Sequence, residues 1–131
     1  METINLGERL FIWRARNNLK STEASKQFDQ GVNWFWNLEE GYNNPPDDVL
    51  QIANDEAYEP RDEAEYVQLL IRRSGLKKSD VCEELGIKYQ TLYAGIKKCE
   101  HLDVLNLVIE HLEKKEPHIR CKNPWWDKID G

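Results

Sequence analysis

The stretch that decides the fold is GLKKSDVCEELGIKYQTLYAGIKK, residues 75–98. Apolar residues recur in it at three- and four-residue intervals, which is the period of a helix with one buried face. Gly86 interrupts the pattern, because glycine readily adopts the left-handed backbone that ends helices. The stretch therefore predicts a short helix at Lys78–Leu85, a turn, and a second helix at Lys88–Lys97.

Longer helices are predicted on both sides of this pair. Residues 63–74 have apolar side chains at helical intervals, and residues 102–112 carry an apolar stripe. Lys114 and Lys115 would complement the negative end of the second of these helices. Residues 61–115 are therefore expected to form one small helical unit.

The first half of the chain, residues 1–56, repeats this order of helices and leads into a polar linker that ends at Pro60. No stretch has the alternating pattern of a strand. The expected fold class is therefore all-α, with two helical units in tandem and a C-terminal tail at residues 116–131. In the first half, helices are predicted to begin near Leu6, Ser21, Val32 and Pro46.

The two halves also align with each other. Placing Leu19 on Leu76, a spacing of 57 residues, brings the apolar and turn positions of the short helices together without a gap. Phe35 then falls on Leu92. Self-similarity at a fixed spacing indicates a repeated structural unit, so the chain is expected to contain the same helical unit twice.

Both halves resemble the Cro-like (XRE) phage-repressor helix-turn-helix family, and together they resemble a tandem pair. In that family a small residue in the first short helix lets the two short helices cross closely, and Ser25 and Cys82 hold that place here. A glycine makes the turn between them. Gly86 matches that glycine, whereas the first half departs from the pattern with Asp29, and the second half has Gly95 where the family has a hydrophobic residue.

The resemblance covers about residues 5–54 and 63–112. It implies two lambda-repressor-like bundles in a sequence-specific transcriptional regulator of phage or mobile-element type, which binds double-stranded DNA as a homodimer. In such proteins the second short helix enters the major groove and the preceding helix contacts phosphate. Gln90 can bond adenine in this arrangement. The expected DNA contacts are Lys77, Lys78, Lys88, Tyr89, Gln90, Thr91, Tyr93 and Lys97.

The charge distribution favours one DNA-contacting segment in an otherwise acidic chain. The net charge is −6, and residues 1–60 alone carry −6, with five cations and eleven acids. Residues 72–98 hold seven cations and three acids, a net of +4. Phosphate contacts require cations, so the second unit is the expected DNA reader. The alternative is that its polar residues only form a solvated helix face.

The first unit is expected to contact a protein partner. Trp34 and Trp36 lie near a carboxylate-rich stretch that does not suit a phosphate-lined groove, and exposed tryptophans mark protein interfaces. Alternatively, these two pack with Phe11 and Trp13 in an enlarged core. The expected protein-interface residues are Trp34, Trp36, Trp125 and Trp126.

The tail contains two adjacent tryptophans, which seldom remain solvated. It is expected to dock on the body of the chain or on a second subunit. Its basic residues Arg120 and Lys122 can instead extend the DNA footprint.

The alternative function is a protein-binding inhibitor built on the same scaffold, such as an antirepressor, an antiactivator or a DNA mimic. The overall acidity favours it. An antitoxin-like protein that joins a DNA-binding half to a partner-binding half lies between the two.

No cofactor, metal site or enzymatic activity is expected. Cys82, Cys99 and Cys121 lack the spacing of a zinc site or of a disulfide framework, and no catalytic arrangement of Ser, His and Asp is evident. No apolar run approaches the roughly 18 residues of a membrane helix, and the N-terminus does not resemble a secretory signal. We therefore expect a cytoplasmic protein that does not engage a membrane.

Overall fold

The computed structural model describes residues 4–128, and every regular element in that range is helical. The all-α prediction is confirmed. Within the same range, no helix combines the length and the apolar character needed to cross a membrane. The helices are α1 Leu6–Arg16, α2 Ser21–Gln27, α3 Trp34–Glu40, α4 Asp47–Ala53, α5 Glu63–Ser74, α6 Lys78–Leu85, α7 Tyr89–Lys98 and α8 Leu102–Glu113, followed by a 3-10 helix at Trp125–Lys128.

The chain divides into two compact units, and the first is built from two separate segments. It combines Met1–Glu59 with Ile119–Gly131, of which residues 4–59 and 119–128 are described. The second unit is Pro60–His118. Most of the C-terminal tail, which was expected to dock on the body of the chain or on a second subunit, therefore belongs to the first unit.

In the second unit, the other three helices pack on α7. The short helix α6 packs on α7, and α5 and α8 pack on α7 and on each other. Val67, Val81, Leu92 and Leu105, one from each helix, are fully buried. This burial of one apolar stripe per helix supplies the main favourable free energy of folding.

The first unit has a corresponding arrangement, in which α1 packs on α3 and α4, and α2 packs on α3. Its core contains Leu10, Phe35, Leu38 and Val49, and a residue from the far end of the chain, Trp125. The C-terminal segment is therefore part of the hydrophobic core of this unit.

The backbone repeats the 57-residue spacing seen in the sequence. Asn18 and Gly75 have φ values of 54° and 74°, and Asp29 and Gly86 have 55° and 66°, so both pairs are left-handed. Aspartate is one of the few residues with a side chain that tolerate this conformation. Asp29 therefore makes the same turn as Gly86 without a glycine.

The short helices α2 and α6 begin in the same way. The backbone N–H of Lys20 donates to the Glu23 carboxylate at 2.8 Å, and the backbone N–H of Lys77 donates to the Asp80 carboxylate at 3.0 Å. Both bonds satisfy a backbone donor near a helix start, where such donors lack intrahelical partners. The pairs are again 57 residues apart.

The small residue between the two short helices has a different chemistry in each unit. The buried hydroxyl of Ser25 accepts a hydrogen bond from the Phe35 backbone N–H at 2.8 Å, which ties α2 to the first turn of α3. Cys82 holds the same place in the second unit and is also buried. Burial raises the pKa of the Cys82 thiol, so that thiol remains protonated at neutral pH.

Candidate nucleic-acid interface

One face of α7 is exposed and carries most of the residues expected to contact DNA. Leu92 lies on the buried face, whereas Tyr89 and Tyr93 are 46% and 48% exposed. Gln90 and Lys97 are also exposed. Residues three and four apart share a helix face, so these side chains lie together. We call this region, together with the first residue of α6 and the residue before α7, the α7 surface: Lys78, Lys88, Tyr89, Gln90, Tyr93 and Lys97.

The opposite side of α7 is held close to the start of α8 by a glycine. A Cβ atom on Gly95 would lie 2.8 Å from the carbonyl oxygen of Glu100 and 3.2 Å from the Leu105 side chain. Only a residue without a side chain permits this approach. Gly95 therefore helps to hold the buried face of α7 against the start of α8, so that the α7 surface faces outward.

Two lysines from different helices converge on one ring of the α7 surface. The Nζ atoms of Lys78 and Lys97 each lie 5.9 Å from the centroid of the Tyr93 ring, within cation–π range. Tyr89 stacks on Tyr93 with ring centroids 6.3 Å apart and an interplanar angle of 19°. The result is an exposed pair of aromatic rings with two lysine ammonium groups close to one of them.

The remaining predicted contacts lie around this pair. Lys77 is exposed immediately before α6, and Lys88 is exposed immediately before α7. Thr91 is half-buried, and its two-residue offset from Tyr93 places it on roughly the opposite side of an α-helix. The geometry therefore disfavours Thr91 as a contact to base edges.

An acid on α6 is paired with a histidine of α8 and with a lysine that follows α8. A Glu84 carboxylate oxygen lies 2.7 Å from His111 Nε2 and 3.3 Å from Lys115 Nζ. The hydrogen bond from His111, supported by Lys115, lowers the pKa of Glu84 below its ordinary value. The negative charge of Glu84 is thus partly offset within the second unit.

Replacing His111 with leucine is expected to raise the pKa of Glu84 toward that of a free glutamate. The pKa is lowered in the folded protein, so the pairing stabilises the fold above the ordinary glutamate pKa, and this contribution is lost as pH falls through the folded pKa. Carboxyl carbon NMR during a pH titration measures the change. His101→Asn, at an exposed histidine, is the control. An unchanged Glu84 titration in His111→Leu would show that the hydrogen bond is not the cause.

The corresponding face of α3 in the first unit is occupied by the C-terminal segment. Trp36, 57 residues before Tyr93, lies under the Arg120 guanidinium at 5.4 Å. Arg120 also lies 3.9 Å from the Glu40 carboxylate, and its carbonyl accepts a hydrogen bond from the Tyr42 hydroxyl at 2.8 Å. Glu40 aligns with Lys97, so this face has an acid where α7 has a cation.

Trp125 is a core residue of its own chain, which corrects its assignment to a partner-binding surface. It is 2% exposed, and its indole N–H donates to the Leu38 carbonyl at 2.9 Å. Trp126 packs edge-on against it, with ring centroids 5.3 Å apart, and is half-buried. Burying two indole rings removes a large apolar surface from water, which explains why the segment docks.

Trp34 is also engaged inside the first unit. Its ring lies 5.7 Å from that of Phe28 and 6.4 Å from that of Phe35, in an aromatic cluster that includes Trp13. This packing agrees with the enlarged-core alternative for Trp34. Trp34 and Trp36 are both half-buried, so each lies between the exposed interface residue and the core residue that the sequence left open.

Sequence reasoning missed the convergence of Lys78 and Lys97 on Tyr93. The four-residue spacing of Tyr89, Tyr93 and Lys97 was a usable signal, because it places the three on one helix face. The approach of Lys78 from α6 had no such signal, since it depends on how α6 crosses α7.

Comparisons of the chain with family models, with curated proteins and with solved structures found no match. A function must therefore be inferred from the residues of this chain and from their geometry.

Proposed function

We propose that this chain is a DNA-binding transcriptional regulator that contacts the duplex through the α7 surface. The observation that carries the proposal is the exposed pair Tyr89 and Tyr93 with Lys78 and Lys97 over the Tyr93 ring. Lysines supply phosphate contacts, and an outward helix of this size fits the major groove. On this proposal the two short helices α6 and α7 act as a helix-turn-helix.

Residues of the α7 surface and the neighbouring Lys77 have different roles in this proposal. Lys77 and Lys78 lie at the N-terminal end of α6, where the helix dipole also favours an anion, so they contact phosphate. Gln90 lies in the first turn of α7 and reads a base edge, with adenine as the preferred partner. Tyr89 offers ring edges and a hydroxyl to bases or backbone. The net charge of +4 in residues 72–98 attracts this segment to the negatively charged duplex.

The first unit has a different role, because its corresponding face is covered by the chain's own C-terminal segment and carries Glu40. We propose that it stabilises the protein and contacts another protein, and that the regulator acts as a dimer. Two copies of α7 would then read half-sites about one helical turn apart.

A mobility-shift titration of the full chain with a mixed-sequence duplex of about three helical turns tests the proposal. The dissociation constant is expected to rise steeply with salt, with a logarithmic slope of about 0.9 per phosphate contacted. Lys78→Glu and Lys88→Glu are each expected to weaken binding at least about tenfold and to reduce that slope by about one.

Lys26→Glu is the matched control, since it makes the same charge change at an exposed lysine of the first unit. It is expected to bind DNA within about twofold of the unsubstituted protein, because Lys26 is not part of the α7 surface and salt screens an exposed charge that makes no phosphate contact. An unsubstituted protein that retards no duplex at low salt would rule out DNA binding.

The alternative function, a protein-binding inhibitor or DNA mimic, is favoured by the −6 charge of residues 1–60. Exposed acids of α4 and the preceding helices would contact a basic partner surface. Absence of DNA binding together with loss of partner binding in Asp47→Lys would favour this alternative.

A further inference from the structure

We infer that Tyr93 is a positioning residue whose ring holds the ammonium groups of Lys78 and Lys97 at one place on the α7 surface, ready for phosphate. We call these three residues the lysine clamp. The inference rests on the proposed function and extends it by naming the residue that positions the two ammonium groups. It also predicts a property of the protein without DNA.

The lysine clamp joins two helices at one ring. Lys78 is the first residue of α6, and Lys97, one turn after Tyr93, is in the last turn of α7. Each Nζ atom lies 5.9 Å from the Tyr93 centroid, where the negative ring face attracts a cation. Tyr89 stacks on Tyr93 and restricts the ring's movement. Each lysine thus has a preferred position next to the same ring.

This arrangement lowers the entropic cost of binding phosphate. A lysine side chain has many rotamers in water and loses them when it is fixed against an anion. Attraction to the ring restricts those rotamers before DNA arrives, so less entropy is lost on binding. The two like charges also repel each other, and a phosphate near both relieves that repulsion.

The lysine clamp can be detected in the free full-length protein by NMR. An aromatic ring shields protons above its face, so the ε-methylene protons of Lys78 and Lys97 are expected to resonate upfield of those of Lys26. Tyr93→Phe should keep these shifts and Tyr93→Leu should abolish them, while the melting temperature of both variants stays near that of the unsubstituted protein. Unshifted lysine signals in the unsubstituted protein would overturn the inference.

DNA binding then tests the positioning role with the mixed-sequence duplex described above. Tyr93→Leu is expected to raise the dissociation constant about three- to tenfold, because the two lysine side chains are no longer restrained before they bind phosphate. Tyr93→Phe is expected to bind as the unsubstituted protein does. In a Lys78→Met/Lys97→Met background, Tyr93→Leu is expected to have no further effect, because a residue that acts through the lysines is coupled to them.

The contrary outcomes separate this inference from the proposed function. If Tyr93→Leu weakens binding equally without the lysines, or if Tyr93→Phe weakens it as much as Tyr93→Leu, the tyrosine contacts DNA directly and the positioning role is wrong. If the unsubstituted protein binds no duplex, the proposed function fails and the positioning role for DNA fails with it. In that case the NMR shifts still decide whether the lysine clamp exists.

Discussion

Trp125→Ala is expected to destabilise the first unit by about 3–5 kcal/mol, the range for truncation of a fully buried large aromatic residue. The side chain lies in the core with Leu10, Phe35 and Leu38, and only 2% of it is exposed. Its removal leaves a cavity and also removes the hydrogen bond that its indole N–H donates to the Leu38 carbonyl. The C-terminal segment should then no longer be held in the core of the first unit.

Chemical denaturation gives the free energy of unfolding, and hydrogen exchange shows where the loss occurs. Amides of α1, α3 and α4 are expected to exchange faster, because these helices share the core with Trp125. Ile119→Ala, in the same segment but at a residue 74% exposed, is the control and should change stability by less than about 0.5 kcal/mol. Equal stability of Trp125→Ala and the unsubstituted protein would contradict the docking of this segment.

Arg14→Met is expected to lower the free energy of unfolding by about 3–5 kcal/mol, because it removes the guanidinium that pairs with the buried charge of Glu39. The Glu39 side chain is fully buried, and Arg14 holds it through two donors, Nε and Nη2, the latter at 3.0 Å. The two residues join α1 to α3. Arg14→Lys is expected to recover only part of the loss, since an ammonium group cannot make the paired contact of a guanidinium.

The double variant Arg14→Met/Glu39→Met distinguishes a buried charge from a simple loss of packing. It is expected to be more stable than Arg14→Met alone, because the buried charge of Glu39 is removed together with its guanidinium. Arg61→Met is the control, since the Arg61 side chain is 65% exposed in its ion pair with Glu65, and surface ion pairs contribute about 0.2–1 kcal/mol. Equal destabilisation in the single and double variants would show that the charge pairing is not what matters.

Helix positions followed from the sequence most closely where glycine and apolar spacing agreed. The helices α5 and α6 match their predicted ranges, 63–74 and 78–85, and α7 begins one residue after its predicted start. The helix predicted to begin at Val32 begins instead at Trp34, with Asn33 as the residue before its first turn. Val32 is exposed and so is not part of the buried stripe. Periodicity locates a buried stripe, but it does not determine which flanking residue ends the hydrogen-bonded turn.

By itself, the sequence determined the all-α class, the order of the helices and the 57-residue repeat, because helical hydrogen bonds and apolar faces depend on residues three and four apart. Only the tertiary structure decided that Trp125 completes a core begun by Leu10, that Arg14 meets Glu39, and that Lys78 and Lys97 share the ring of Tyr93. These contacts join residues remote along the chain or on different helices. They depend on how helices cross and where the chain returns, which no local pattern encodes.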